Sequence, residues 1–450
     1  MSQTIKIRKG LDINLKGKAE QVYGEMPTAE TYAIKPTDFP GLLPKLNVKE
    51  GQTVQAGDVL FHDKANDRVR FCSPVSGEIA EVRRGAKRKI LEVVILADKE
   101  VKYSSVADLD PAKASREEII DFLLDNGAWP FVKMRPYGTI ANPSDTPKAI
   151  FISGFDSAPL GPDLDFVLHG QEEAFAAGVS LLSKLTEGAV NLSVDGKSAV
   201  SKVYSECPGL TIHSIQGPHP AGNVGVQIHH ISPMNSGEVV WTLAPEDVAI
   251  LGRLLTEKKY NVQRNVAVTG SEVEKPKYYK IIQGANLSKL FAEVVKSDNP
   301  RYISGNVLTG TQIAADGFMG FYPNQITVIP EGGEDEFLGW VLPGFGKFSI
   351  SKTFTSWLTP NKEYVLDANL HGEERAFVVT GEYEKVFPFD IYPVQLLKSI
   401  LIKDIEKMEQ LGIYEVVEED FALCEVVCTS KLEVQKMVRE GLDFLKSEMS

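Results

Sequence analysis

Apolar residues recur along this chain with two periods, and the change from one to the other divides it. From residue 1 to about 105 the pattern is short and alternating. Val48-Lys49-Glu50-Gly51-Gln52-Thr53-Val54-Gln55-Ala56-Gly57-Asp58-Val59-Leu60-Phe61 switches between apolar and polar positions around two glycines, as hairpin strands do. Ser73-Pro74-Val75-Ser76-Gly77-Glu78-Ile79 reads as a turn followed by a strand. From about 106 a helical period takes over. Ser115 ahead of Arg116-Glu117-Glu118 is a helix-start signal, and Ile119, Ile120, Phe122 and Leu123 supply the apolar face. Residues 171–186 and 245–260 read as two more amphipathic helices, the second with Pro245 at its first position. Short β runs at 149–152, 190–194 and 239–243 lie between them, and this alternation predicts a parallel, Rossmann-like α/β unit over 106–260. A third unit, 261–330, has strands at 266–270 and 278–282 and a helix over 287–296 capped by Asn286. The remainder, 331–450, carries a β signal at Val378-Val379-Thr380, one helix over 393–411 stopped by Gly412, and a last helix over 432–447. The fold class is therefore α+β and multidomain, with units 1–105, 106–260, 261–330 and 331–450.

Composition narrows the classes. A chain of 450 residues exceeds one ordinary core, and 43% hydrophobic with 24% charged residues is globular rather than disordered. Forty-eight basic against 61 acidic residues leave a net charge of −13, which argues against nucleic acid or anionic lipid as the main partner. The run Arg83-Arg84-Gly85-Ala86-Lys87-Arg88-Lys89 is the local exception, read either as a solvated hairpin tip or as a docking patch for an acidic neighbour. The first residues contain no apolar core of a secretory signal, and no stretch reaches the roughly 18 apolar residues of a membrane span. Four cysteines in a chain of this size make no disulfide framework, so a reducing cytosolic setting, or the cytosolic face of a membrane complex, is expected.

The search for chemistry finds no complete motif. His219, His229 and His230 cluster, but adjacent histidines on a strand point to opposite faces, and neither HExxH nor a zinc-spaced Cys/His set occurs. Cys424 and Cys428 are two thiols where a cluster needs about four, so they read as core. A G-x-S-x-G elbow, a Walker A run and a G-x-G-x-x-G loop are all missing, and the stretch after Phe151-Ile152 is interrupted by prolines. A protein without its own catalytic motif is expected to act inside a larger assembly.

Two local resemblances precede a global one. The glycine-spaced strand pair with Ser73-Pro74 resembles half of a lipoyl or biotinyl domain, a barrel-sandwich hybrid, and Asp63-Lys64-Ala65 falls near its carrier tip. Lys64 stands nine residues before Ser73, longer than the carrier spacing, so an unmodified lysine on a borrowed scaffold is expected. Strand, strand, helix and Ser304-Gly305-Asn306-Val307-Leu308-Thr309-Gly310 resemble the soluble-ligand-binding β-grasp (SLBB) module. In order along the chain, Ile5–Asp12, Arg84–Arg88, Glu172–Phe175 with Leu185–Gly188, Gly217–Gly222, Ile303–Thr311, Gly339-Trp340 with Pro343-Gly344, and Glu419–Cys424 resemble the NqrA family, the A subunits of the sodium-translocating NADH:quinone reductase. The resemblance extends in architecture to the C subunit of the Rnf complex, and to the flavin subunit of complex I.

That resemblance implies a peripheral subunit on the cytoplasmic side of the inner membrane. It would dock on the membrane-embedded B subunit of the complex. There it would help form the quinone-reduction region, without a redox cofactor of its own. Where the relatives have a glycine-rich FMN and NADH loop, this chain has Asp125 to Gly138, with bulky aromatics. Trp129, Phe131, Lys133, Arg135 and Tyr137, with His219 as a polar partner, are the candidate contacts for quinone or for a neighbouring subunit. The alternatives are a stand-alone flavin or NAD(P)H oxidoreductase of the complex I type, and a lipoyl carrier modified at Lys64.

Overall fold

The computed structural model describes residues 2–333, 339 and 344–449; Trp340 and Pro343, quoted for the resemblance, lie outside the described residues. Two small antiparallel sheets form most of the first unit. One has four strands in the order Thr31–Ile34, Ile90–Ala97, Gly77–Arg84, Thr53–Val54; the other has three, Pro44–Leu46, Val59–Asp63, Arg70–Cys72. Gly77, Ile79 and their partners alternate buried and exposed, as expected of strands with one face on a core.

The chain starts elsewhere, however. Strand Thr4–Lys6 pairs in parallel with Leu210–Gln216, and strand Glu20–Gly24 pairs in parallel with Lys277–Ile282. Each is too short to announce itself by alternation, so pairing with distant strands leaves no trace in local sequence.

Behind them stands a seven-stranded sheet. Its order is Thr4–Lys6, Leu210–Gln216, Val190–Asp195, Ile150–Ser153, Val240–Leu243, Lys133–Arg135, Thr139–Ile140. The first five are parallel, Lys133–Arg135 runs antiparallel to them, and Thr139–Ile140 pairs antiparallel to Lys133–Arg135. Residues 190–194 are buried without a break, the pattern of a parallel strand covered on both faces. The helices begin as their sequences direct. Arg116–Asp125 opens with a capping box, Ser115 Oγ accepting from Glu118 N and Glu118 from Ser115 N, and Pro245–Glu257 has its proline in the first turn. Helices Glu172–Leu185 and Pro245–Glu257 press together through Gly178 and Gly252; a Cβ on Gly252 would stand 1.7 Å from the Ala174 carbonyl oxygen.

A six-stranded sheet follows, in the order Thr311–Ile313, Pro300–Ser304, Gln325–Pro330, Gln263–Thr269, Lys277–Ile282, Glu20–Gly24, with helix Ser288–Val294 connecting two of its strands. One continuous apolar core joins the first unit, the seven-stranded sheet and this sheet. The C-terminal helices have a second core, which Ile7, Ile215, Ala221 and Val226 enter from the seven-stranded sheet and its loops.

Three sequence expectations change. His229 and His230 lie on helix Val224–Ile231, not on a strand; eight residues bounded by Asn223 and Ser232 are too few for the helical period to stand out. Val378-Val379-Thr380 forms no strand, and both valines are exposed, because no neighbouring edge among the described residues offers them hydrogen bonds. The helix expected over 393–411 breaks into Pro393–Leu401 and Ile405–Gln410, where Lys403 adopts a left-handed conformation and Asp404 caps the second helix through Lys407 N.

Candidate functional site

The parallel strands of the seven-stranded sheet reverse their order once. From Ile150–Ser153 the chain builds outward through Val190–Asp195 and Leu210–Gln216, then returns to place Val240–Leu243 on the other side. Segments leaving the carboxyl ends of Ile150–Ser153 and Val240–Leu243 therefore part, opening the crevice in which open parallel α/β sheets take ligands. A cleft of about 530 Å³ lies there, walled also by the first unit, the six-stranded unit and the C-terminal region.

Its aromatic surface comes from Phe155, Phe321 and Tyr322. Its charges are mostly spoken for. The Lys133 ammonium sits over the Tyr322 ring, 4.7 Å from its centre. Buried Lys35 donates to the Phe318 carbonyl at 3.3 Å and stands 3.7 Å from the Asp38 carboxylate. Burial raises the Asp38 pKa, and Lys35 and the Phe321 N–H work against that. Arg135, 3% exposed, donates to Asp420 Oδ2 at 2.6 Å, to Glu419 Oε1 at 2.9 Å and to the Glu415 carbonyl at 3.1 Å. Burial disfavours its charge, but Asp420 and Glu419 outweigh that and hold the guanidinium above its ordinary value. Burial pushes His219 down to about 4, although nearby Glu419 favours its proton, so the ring is neutral at pH 7. Its Nδ1 lies 3.0 Å from Ser157 Oγ, and its backbone N–H donates to Asp12.

Three helices start at the rim, and each meets a carboxylate from the chain itself. Asp163 accepts from Asp165 N and Phe166 N at the start of Leu164–Leu168. Asp247, in the first turn of Pro245–Glu257, accepts from Ala244 N and from Arg264 at 2.5 Å. At Val224–Ile231 no side chain caps the first turn, but the Arg135–Asp420 pair crowds it: a Cβ on Gly225 would stand 2.5 Å from both the Arg135 guanidinium and Asp420 Oδ1. Next to Asp247, burial pushes Glu246 up to about 7 against the pull of Arg264, and its Oε2 has no hydrogen-bond partner among the described residues. Asp163 and Asp247 take backbone N–H groups at two of these starts and the Arg135–Asp420 pair crowds the third, so little is left of what helix starts elsewhere offer a phosphate.

Of the residues singled out by sequence, Lys133, Arg135 and His219 line the cleft. Trp129 and Phe131 do not: both are wholly buried. Trp129 donates to the Ala141 carbonyl and meets Trp241 edge-on, while Phe131 stacks behind Phe321 at 4.9 Å. They back the cleft wall as core. Tyr137 turns to the C-terminal helices, edge-on to Tyr414, with its carbonyl accepting from Arg439. Lys64 is exposed just past strand Val59–Asp63 and does not line the cleft. Cys424 and Cys428 are buried in the C-terminal core. Lys35, Asp38, Phe155, Phe321 and Tyr322 carry no signal in the sequence, since only the tertiary fold brings these separate segments together. Among the described residues, no group of three or more His, Cys, Asp or Glu could hold a metal, and no helix is long and apolar enough to cross a membrane.

Fold and cleft together define a mixed α/β protein of several units around a self-filled α/β crevice. Three family models match it in sequence: the NqrA N-terminal barrel-sandwich hybrid domain at residues 5–98, the NqrA second alpha/beta domain at 114–260 and the NQRA C-terminal domain at 265–315. The A subunit of the Na(+)-translocating NADH-quinone reductase of Rhodopirellula baltica is 36% identical over 98% of each chain. Those of Neisseria meningitidis (38%, 99% of this chain and 100% of the relative) and Photorhabdus laumondii (36%, with the same coverage) are similarly close. A solved NAD+-reducing [NiFe]-hydrogenase chain gives a TM-score of 0.36 at 10% identity, over 77% of this chain and 67% of that one, a likeness too weak to bear on the function. The chain belongs to the NqrA family, the A subunits of the Na(+)-translocating NADH-quinone reductase.

Proposed function

We propose that the chain is a peripheral subunit on the cytoplasmic side of a Na+-translocating NADH:quinone reductase, docked on the membrane-embedded B subunit, with no redox cofactor of its own. The relatives' name supports the assembly. The crevice supports the lack of a redox cofactor: Asp163 and Asp247 take N–H groups at two of its helix starts and the Arg135–Asp420 pair crowds the third, so it is a poor seat for a flavin or nucleotide phosphate. The reversal of strand order supports a Rossmann-like reading of the α/β unit, and the six-stranded unit is read as β-grasp.

In this reading the cleft contributes to the quinone-reduction region rather than transferring electrons. Phe155, Phe321 and Tyr322 offer flat apolar walls, and Lys133 with neutral His219 offers polar groups to a ring carbonyl. Affinity purification from native membranes tests the docking, with integral subunits expected to come along; a free monomer would remove it. Visible absorbance of the purified chain tests the rival flavin enzyme, which would be yellow. Quinone titration with Lys133→Ala and Phe321→Ala tests the cleft: saturable binding by wild type, weakened about tenfold in either variant, supports it, and no binding removes it.

A further inference from the structure

The basic run at residues 83–89 is a strongly charged feature that the cleft does not absorb. It forms the end of the hairpin Gly77–Arg84 and Ile90–Ala97, and just before the turn Arg83 lies over the Phe318 ring of the six-stranded unit at 5.6 Å. Arg83 is balanced, pairing with Glu81 at 2.9 Å and Glu92 at 2.8 Å. Beyond it, Arg84, Lys87, Arg88 and Lys89 are all exposed and form no ion pair with any described acid. The tip is ordered by its own backbone: Gly85 N donates to the Lys89 carbonyl, Lys89 N to that of Ala86, and the Arg84 guanidinium to that of Arg88.

Lys87 and Arg88 both have left-handed backbones, at φ 54° and 62°. Glycine would sit there without strain, yet the chain carries two long cations. Without these four cations the net charge of −13 would be −17, so an anionic plane repels the body and attracts this tip, which sets an orientation. Among the described residues near the turn, Leu91, 37% exposed and beside Gly85, is the one large apolar side chain at the surface, so a protein interface would find little apolar area to bury. Four exposed cations within six residues, unpaired with any described acid, suit a headgroup layer instead.

We infer that the 84–89 hairpin tip contacts the anionic headgroups of the membrane and orients the subunit on it; this extends the peripheral-subunit reading to a lipid contact. The test uses the full chain in vesicle co-sedimentation, with phosphatidylcholine alone and with about 30% phosphatidylglycerol, at low salt and at about 0.3 M salt. The compared variant carries Arg84→Gln, Lys87→Gln, Arg88→Gln and Lys89→Gln. A charge-matched control carries Lys99→Gln, Lys184→Gln, Lys197→Gln and Lys275→Gln, all exposed and away from the hairpin tip in sequence. Wild type and control should bind the anionic vesicles and release them in salt, and the tip variant should lose at least about fivefold of the bound fraction. Equal binding by tip variant and control, or no preference for anionic vesicles, overturns the inference. Loss of co-purification with integral subunits in a tip variant that matches wild type on vesicles would assign the tip to an acidic protein neighbour, also overturning it. A tip variant that leaves vesicles yet still co-purifies supports the lipid contact and leaves the docking reading standing.

Discussion

Arg135 shows what one residue contributes when its charge is fully enclosed. It arrives on a short strand near the sheet edge and ends among carboxylates nearly 300 positions later in the chain, at 2.6 Å from Asp420 and 2.9 Å from Glu419. Replacing a buried ion pair by apolar residues is often tolerated, but removing one partner strands the other. Arg135→Ala should therefore destabilise the protein by about 3–5 kcal/mol in urea unfolding, with Arg135→Ala/Asp420→Ala recovering part of that. His219 makes a pH prediction. Its folded pKa, about 4, is depressed from 6.5 by burial, so the unfolded chain takes up a proton that the folded chain refuses. Its stabilising contribution is present above pH 6.5 and is lost as pH falls toward 4, amounting to about 3 kcal/mol. His219→Gln should flatten the fall in stability between pH 6.5 and 4, followed by thermal melts across that range.

Among elements, Glu172–Leu185 and Pro245–Glu257 pack closely enough to need glycine on both sides. Gly178 lies against the Val248 carbonyl, where a Cβ would stand at 2.0 Å, and Gly252 against that of Ala174. Gly252→Ala should lower stability by about 1–3 kcal/mol, although alanine alone favours a helix by about 1 kcal/mol. A rise in melting temperature would mean that the helices can part cheaply. These same two helices are plain in the sequence, as is Arg116–Asp125, because each repeats an apolar face over nearly three turns or more, and Ser115 and Pro245 mark two of the starts. The short elements are not. Val224–Ile231 reads as a strand, and Thr4–Lys6 and Glu20–Gly24 as part of the first unit, since their pairing is set by strands some 210 and 250 residues away. The site divides in the same way. Lys133, Arg135 and His219 are legible from the sequence and line the cleft, whereas Trp129 and Phe131, candidates by their aromatic character, are core. An aromatic side chain looks the same in sequence whether it walls a cleft or backs it.

Over the whole molecule, the C-terminal region acts as a lid on the edge of the seven-stranded sheet. Its core takes in Ile7, Ile215, Ala221 and Val226, and its acids hold Arg135. Removing residues 383–449 uncovers this apolar face together with a buried cation. The truncated chain should bind a hydrophobic dye strongly and lose soluble yield, as size-exclusion chromatography would measure; a soluble monomer with the native melting temperature would contradict the shared core.

The first strand has a consequence in time. Thr4–Lys6 is synthesised some 200 residues before its partner Leu210–Gln216, and Glu20–Gly24 some 250 before its own. At roughly 5–20 residues per second, the N-terminal segment waits on the order of 10–40 s with its backbone groups unpaired. Strands made early are secured late, so the nascent protein keeps these two segments open to proteases and chaperones until their partners emerge.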